Sequence, residues 1–154
     1  MRLIATQPSD YWAFRPGGIW RGCRVPVGGL EPAPTLKMLA GLSARLQAAQ
    51  GWGTWVGVVD HDVVVSIAVK RPVTDARVEI GYGVALDLRG RGFATMAVLA
   101  VLTELHHKGV QLVTAESAVA NPASARVLAK TGFVLTGKRP DPLDGVLNLW
   151  ERAL

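Results

Sequence analysis

The sequence predicts an α+β fold in which a mostly antiparallel mixed sheet is flanked by helices. Nearly half of the 154 residues are hydrophobic, which is enough to bury a sizeable core. Short β-branched runs are arranged as hairpins and are separated by segments whose apolar residues recur at helical spacing. The resulting order is helix, three strands, helix, strand, helix and strands, without repeating βαβ units. A chain of this length fits one domain, residues 1–154.

The first third of the chain is the least regular. A strand is expected at residues 2–6, followed by an irregular stretch in which prolines and glycines alternate with four aromatic residues: Tyr11, Trp12, Phe14 and Trp20. These aromatics either anchor the segment to the core or line a substrate cleft, and anchoring is the commoner role. From Leu36 to Leu46 the apolar spacing predicts a helix that ends by Gly51.

Three strands are expected next. Residues 52–59 and 63–69 form a hairpin around the polar turn Asp60-His61-Asp62, which is a better interpretation than a metal site because no nearby residues complete a ligand set. Residues 77–84 form the third strand. Gly81 and Gly83 lie inside it, and glycine within a strand is typical of a bulge or of a place where a ligand or a backbone comes close.

A glycine- and arginine-rich loop, residues 89–94, joins the third strand to a helix predicted for residues 93–108. Two glycines allow successive N–H groups to point inward, and the helix N-terminus adds free donors and a positive dipole. The loop therefore fits a diphosphate-bearing cofactor, although an ordinary strand-to-helix turn is an equal alternative. It is neither a P-loop nor a dinucleotide fingerprint, which follows the first strand of a βαβ unit.

The C-terminal part is predicted as strand, helix and hairpin. Residues 112–117 form a strand, and Asn121 caps a helix over 122–130 that stops at Gly132. Residues 133–139 and 146–152 pair around a polar turn at 140–145.

Charge and cysteine content restrict the partners. The net charge is +5, but no run of like charges forms a nucleic-acid stripe, so no nucleic-acid partner is expected. Cys23 is the only cysteine, which excludes an internal disulfide and multi-cysteine metal sites. We find no signal peptide and no apolar run as long as a membrane span, so a cytoplasmic protein without a membrane partner is expected.

Three stretches resemble the GNAT superfamily of acetyl-coenzyme A-dependent N-acetyltransferases. Residues 89–94 look like its Arg/Gln-x-x-Gly-x-Gly/Ala pyrophosphate motif. Glu79-Ile80-Gly81-Tyr82 resembles the fourth strand of the branch that acetylates ribosomal-protein and Ser/Ala N-termini, and residues 121–133 resemble that branch's Asn-x-x-Ser…Lys-x-Gly-Phe helix. The similarity covers residues 52–139 well and the first 50 poorly.

The resemblance implies a GNAT-type fold with acetyl-CoA as co-substrate and no metal. The pyrophosphate would be held by the loop and the helix start: Arg89, Gly90, Arg91, Gly92, Phe93, Ala94 and Thr95. The backbone at Val84 and Leu86 would pair with the pantetheine arm, and Asn121 and Ser124 would contact its far end.

The implied chemistry is direct attack of an amine on the thioester, with a base for the ammonium proton and an acid for the thiolate. Glu79 is the candidate base, and a structural ion pair with Arg77 or another arginine is an equal alternative. Glu116 and Ser117 are lesser candidates. Many members have a tyrosine acid seven residues after the asparagine, where this chain has Leu128, so Ser117 or Tyr82 would have to serve, or no side chain does.

The acceptor stays open at this point. The branch resemblance favours a protein or peptide N-terminus, and a small amine such as an aminoglycoside, polyamine or amino acid is the alternative. A non-catalytic acyl-CoA-binding module is a third interpretation, which the leucine at position 128 favours slightly. Homodimers are common in this fold, and no residue of the sequence speaks for or against one.

Overall fold

The computed structural model describes all residues 1–154 and contains nine strands, three α-helices and two short 3-10 helices. The N-terminal half comprises β1 (Arg2–Ala5), β2 (Ile19–Trp20), β3 (Cys23–Arg24), α1 (Ala33–Gln50), β4 (Thr54–Val59), β5 (Asp62–Val69) and β6 (Arg77–Val84). The C-terminal half comprises α2 (Phe93–His107), β7 (Leu112–Ala118), α3 (Pro122–Lys130), β8 (Val134–Asp141) and β9 (Gly145–Ala153). The predicted α+β fold is confirmed.

One mixed sheet runs through the molecule in the order β1-β4-β5-β6-β7-β9-β8. All neighbours along this path are antiparallel except β6 and β7, which are parallel. The parallel pair is short: it joins residues 77–80 to residues 112–115, and beyond Ile80 and Ala115 the two strands are unpaired with each other. The sheet therefore has an opening at its centre.

The helices cover opposite faces of the sheet. Ser43 of α1 lies 3.0 Å from Thr54 of β4, hydroxyl to hydroxyl, which places α1 on the face that carries Thr54. Trp55 and its cross-strand neighbours point the other way, because successive side chains of a strand alternate. On that second face Val84 packs against a small cluster that includes Ala97 of α2, and Tyr82 contacts Ser124 of α3. The core is a cluster of 30 buried hydrophobic residues.

The irregular N-terminal segment is more ordered than expected. After β1 it forms a 3-10 helix over Pro8–Trp12 and the two-residue hairpin β2–β3. These elements are too short to produce a periodic sequence pattern. Tyr11, Phe14 and Trp20 are buried and pack edge to face, so anchoring is confirmed for them, whereas the Trp12 side chain is 77% exposed.

Three boundaries differ from the prediction for local reasons. β4 begins at Thr54 because Gly53 has a φ of +140°, outside the strand region. The first hairpin turn is Asp60-His61 only, since both residues are left-handed, and Asp62 belongs to β5. β8 continues to Asp141, whose carboxylate accepts the N–H groups of residues 143 and 144 and thereby shortens the last turn.

The apolar residues of α2 are only partly buried. Val98, Val101 and Leu105 are inaccessible to solvent, but the Met96 and Leu99 side chains are 42% and 45% exposed. The helix thus buries one stripe and leaves the other open, as is usual for a helix on a sheet surface. None of the helices is both long and apolar enough to cross a membrane.

Candidate active site

The opening between β6 and β7 exposes main-chain groups of β6. On its other side β6 bonds to β5 through alternate residues: Lys70 N–H donates to Glu79 O, and Ala85 N–H donates to Val64 O. Backbone groups of a strand point alternately to its two neighbours. Tyr82 and Val84 therefore direct their N–H and C=O groups into the opening, where no strand meets them.

The N-terminus of α2 lies beside this opening. Gly92 is the N-cap with a φ of +82°, and Gly90 has a φ of +75°, conformations that only glycine adopts readily. Met96 N–H makes the first helical hydrogen bond to Gly92 O, so the N–H groups of Phe93, Ala94 and Thr95 precede the helical ladder and are free for a ligand. This is the geometry of an anion-binding helix start.

A cleft of about 460 Å³ joins the opening to the helix start and to α3. Its lining combines 16 residues from β6, the loop, α2 and α3: Tyr82, Gly83, Val84, Leu88, Arg89, Gly90, Gly92, Phe93, Ala94, Thr95, Asn121, Ala123, Ser124, Arg126, Val127 and Lys130. Three cations are present and no carboxylate is. None of the three is in an ion pair, so the cleft is electropositive.

Most of the sequence-predicted cofactor residues meet in this cleft. Nine of the eleven line it: Val84, Arg89, Gly90, Gly92, Phe93, Ala94, Thr95, Asn121 and Ser124. Leu86 lies in the 3-10 helix Leu86–Leu88 and is 68% exposed, outside the lining. Arg91 is also outside, with its guanidinium 3.4 Å from Asp87 O.

Hydrogen bonds fix several of these groups. Arg89 Nε donates to Val84 O at 3.2 Å, which closes the end of β6. Asn121 Oδ1 accepts Ser124 N–H at 3.2 Å as the cap of α3, so its side-chain NH₂ stays available. The hydroxyls of Ser124 and Tyr82 are 2.8 Å apart across the cleft. Burial raises the pKa of the Tyr82 phenol above its ordinary value.

Glu79, the predicted base, lies elsewhere. Its carboxylate accepts from Lys70 Nζ at 2.6 Å and from Arg71 at 3.1 Å, while Arg77 pairs with Glu151 instead. Glu79 lines a separate polar cavity at the start of β6 and β7. The ion-pair alternative is thus realised, with partners other than Arg77.

Ser117 and Glu116 occupy opposite faces of β7. Ser117 is buried, and its Oγ accepts the indole N–H of Trp150 at 2.9 Å, outside the cleft lining. Both Glu116 oxygens accept from Arg139 at 2.8 Å, and this hydrogen bonding holds the pKa of the Glu116 carboxyl below its ordinary value. Leu128 is fully buried in the core.

Two basic residues of the cleft were not among the predicted site residues. Arg126 and Lys130 lie four residues apart on α3, so they share one face of that helix and point to the cleft beside Asn121 and Ser124. Once Asn121 was placed at the cleft, this spacing was a sufficient signal. The structure contains no group of three or more His, Cys, Asp or Glu side chains that could hold a metal.

The chain belongs to the acetyltransferase (GNAT) domain family, whose profile matches residues 8–134. It is therefore an N-acetyltransferase that uses acetyl-CoA, as predicted from the resemblance. No curated protein sequence matches the chain significantly.

Solved structures show the same fold at low sequence identity. The ribosomal-protein-S5-alanine acetyltransferase of Vibrio fischeri superposes with a TM-score of 0.72 at 18% identity, over 98% of this chain and 91% of that one. RimJ of Mycobacterium smegmatis, in complex with CoA-disulfide, gives 0.71 at 21% identity over 98% and 80%. A chimera of the spermidine N-acetyltransferase SpeG from Vibrio cholerae and hSSAT gives 0.74 at 13% identity over 99% and 96%.

Proposed function

We propose that the protein transfers the acetyl group of acetyl-CoA to the α-amine of a protein or peptide N-terminus by direct attack on the thioester. The observation that carries this proposal is the opening between β6 and β7, where the main-chain groups of Tyr82 and Val84 have no partner strand and lie beside the glycine-capped start of α2. A strand edge and a helix N-terminus side by side accommodate an amide-bearing arm and a diphosphate in one cleft.

The cleft residues suit the parts of the cofactor. The free N–H groups of the loop and of the first turn of α2 would bind the pyrophosphate, and Arg89, Arg126 and Lys130 would add charge. The arm would lie along Val84, with Asn121 and Ser124 on the other wall. Leu86 and Arg91, outside the lining, stay predicted contacts at the rim.

The proposed chemistry needs groups that stabilise charge and move protons. Acetyl-CoA supplies an activated acyl group as its thioester. An N–H of β6 at Tyr82 or Val84 would donate to the carbonyl oxygen as negative charge develops there. The Tyr82 hydroxyl, in the cleft and held protonated by burial, is the best-placed donor for the departing sulfur, ahead of Ser117.

The choice of acceptor is supported by similarity to acetyltransferases of ribosomal proteins. We further propose that residues 1–154 act as one domain, because both walls of the cleft come from the same chain. A cytoplasmic location, expected from the sequence, is part of the same proposal. Neither a second copy nor nucleic acid has a part in this proposal.

A comparison of matched acceptors tests the proposal. The protein is incubated with acetyl-CoA and a short lysine-containing peptide, either with a free N-terminus or with that N-terminus acetylated, and thiol release and product mass are followed. We expect turnover of the free peptide, with acetyl on its α-amine. Spermidine is assayed separately as a small amine. Acetylation of the lysine side chain alone, or of spermidine alone, would show a different acceptor class. Cofactor binding without turnover of any amine would mean that the protein is a binding module.

A further inference from the structure

Glu31, just before α1, reaches over the middle of β6. An atom placed as Cβ on Gly83 would overlap Glu31 Oε1, so the carboxylate occupies the space that a side chain at position 83 would need. Gly83 has no unusual φ, and this contact is therefore the reason for glycine there. The carboxylate rests on the strand backbone itself.

This carboxylate is anchored but not neutralised. Ser66 of β5, which is paired with Gly83 in the sheet, donates its hydroxyl to Glu31 Oε1 at 2.6 Å. No lysine, arginine or histidine lies within ion-pair distance of Glu31. Its Oε2 has no hydrogen-bond donor, and the residue is only partly buried, so Oε2 is available to a ligand. An unpaired carboxylate at a partly buried position is an expected cation-binding group.

The Glu31 carboxylate lies close to the opening between β6 and β7. Gly83 lies between Tyr82 and Val84, whose main-chain groups face the gap between β6 and β7. The glycine's side-chain direction points to the face of the sheet that carries α1, opposite to the face of Tyr82 and the cofactor cleft. A molecule that approaches the gap from the α1 face therefore meets Glu31 over β6, the strand that borders the gap.

We propose that Glu31 binds the ammonium group of the acceptor and so restricts acceptors to primary amines that carry no carboxylate next to the amine. This inference rests on the proposed function and deepens it by naming the group that selects the amine. A free amino acid would bring its own carboxylate against Glu31, and like charges in a partly desolvated site repel. A peptide N-terminus or a polyamine has no such charge.

The test compares two small acceptors that differ only in that charge, alaninamide and alanine, with spermidine as a second carboxylate-free amine. Initial rates of thiol release give kcat and KM for wild type and for Glu31→Gln. We expect wild type to prefer the two carboxylate-free amines over alanine. In Glu31→Gln, kcat/KM for alaninamide should fall at least about tenfold, mainly through KM, and the preference over alanine should shrink.

Two further variants separate recognition from folding. Gly83→Ala keeps the carboxylate but displaces it, so it should lose the same preference. Glu104→Gln on α2 removes a half-exposed carboxylate that pairs with Lys108, and it should leave kcat/KM within about twofold. Thermal stabilisation by CoA is measured for every variant and should be unchanged in Glu31→Gln.

The results that would contradict the proposal fall into two groups, one for the role of Glu31 and one for the proposed function. An unchanged preference in Glu31→Gln overturns the role of Glu31, as does a wild-type protein that acetylates the free peptide but neither carboxylate-free small amine. A wild-type protein that CoA fails to stabilise, or that CoA stabilises but that acetylates no amine at all, overturns the proposed function instead.

Discussion

The hydroxyl of Tyr82 on β6 lies 2.8 Å from the hydroxyl of Ser124 in the first turn of α3. This contact spans the opening of the sheet and joins its two walls where β6 and β7 are no longer paired. Tyr82 is the tyrosine that lines the cleft, whereas Leu128, at the position where many members have a tyrosine, is buried and apolar.

Replacement of Tyr82 by phenylalanine tests its role as the proton donor. We expect kcat to fall at least about tenfold, because the departing sulfur loses its donor, while CoA binding changes little. Steady-state kinetics and thermal shift with CoA measure the two effects. Tyr11→Phe is the matched control, since Tyr11 is also a buried, hydrogen-bonded tyrosine but lies beside Thr6, away from the cleft. Equal losses of kcat in both variants would contradict the role of Tyr82.

Gly92→Glu should abolish binding of CoA. The new carboxylate would lie at the free N–H groups of α2 and repel the pyrophosphate. Gly109→Glu controls for backbone strain, because both glycines have a φ near +80° and neither has an atom within 4 Å of the place that a Cβ would occupy. Thermal unfolding with and without CoA should show a ligand-induced shift for Gly109→Glu and none for Gly92→Glu. If CoA still raises the unfolding temperature of Gly92→Glu, the pyrophosphate does not bind at the start of α2.

Glu79→Gln is expected to affect stability more than turnover. Glu79 neutralises Lys70 and Arg71 and lies outside the cleft, so its loss leaves two cations unpaired near the start of β6. With partly exposed partners we expect the free energy of unfolding to fall by about 1 kcal/mol and kcat to change less than about tenfold. Urea unfolding and steady-state rates give both values. A loss of kcat of two orders of magnitude with normal CoA binding would instead support the predicted role of Glu79 as the base.

The pair of Glu116 and Arg139 should contribute stability in a pH-dependent way. The pKa of Glu116 is lowered by Arg139 from an ordinary value of 4.5, so the contribution is fully present above that pH and is lost as pH falls through the lower, folded-state pKa. Because Arg139 is 43% exposed, we expect Glu116→Gln to cost only about 0.5 to 1 kcal/mol at neutral pH. The difference between wild type and variant in urea unfolding should disappear in acid. A difference that persists there would indicate packing as its cause.

The regular elements and the cofactor loop could be predicted because each leaves a local pattern. Each of these patterns determines the structure of residues close to it in the chain. Examples are the alternation in residues 77–84, the glycines at 90 and 92 and the cap at Asn121. The opening between β6 and β7 was not predicted, because the length of a parallel pairing depends on two distant segments. The resemblance implied only that the backbone at Val84 and Leu86 would pair with the pantetheine arm.

Contacts between distant segments account for what the sequence did not reveal. Glu31 precedes Gly83 by more than fifty residues, and its contact with β6 follows from how α1 enters the fold. The partners of Glu79 come from the end of the neighbouring strand, where several cations compete and only the sheet register decides among them. The sequence near a charged residue on a strand therefore does not show which residue will be its ion-pair partner.

The short parallel pairing of β6 and β7 joins two consecutive segments of the chain, each of which supplies one wall of the cleft. Residues up to Lys108 supply one wall of the cleft, and residues after Gly109 supply the other. Neither piece contains a complete site, and only four register pairs of backbone join their strands. Catalysis in this protein therefore depends on the docking of two consecutive segments, and a fragment ending at Lys108 would retain six of the nine strands but no activity.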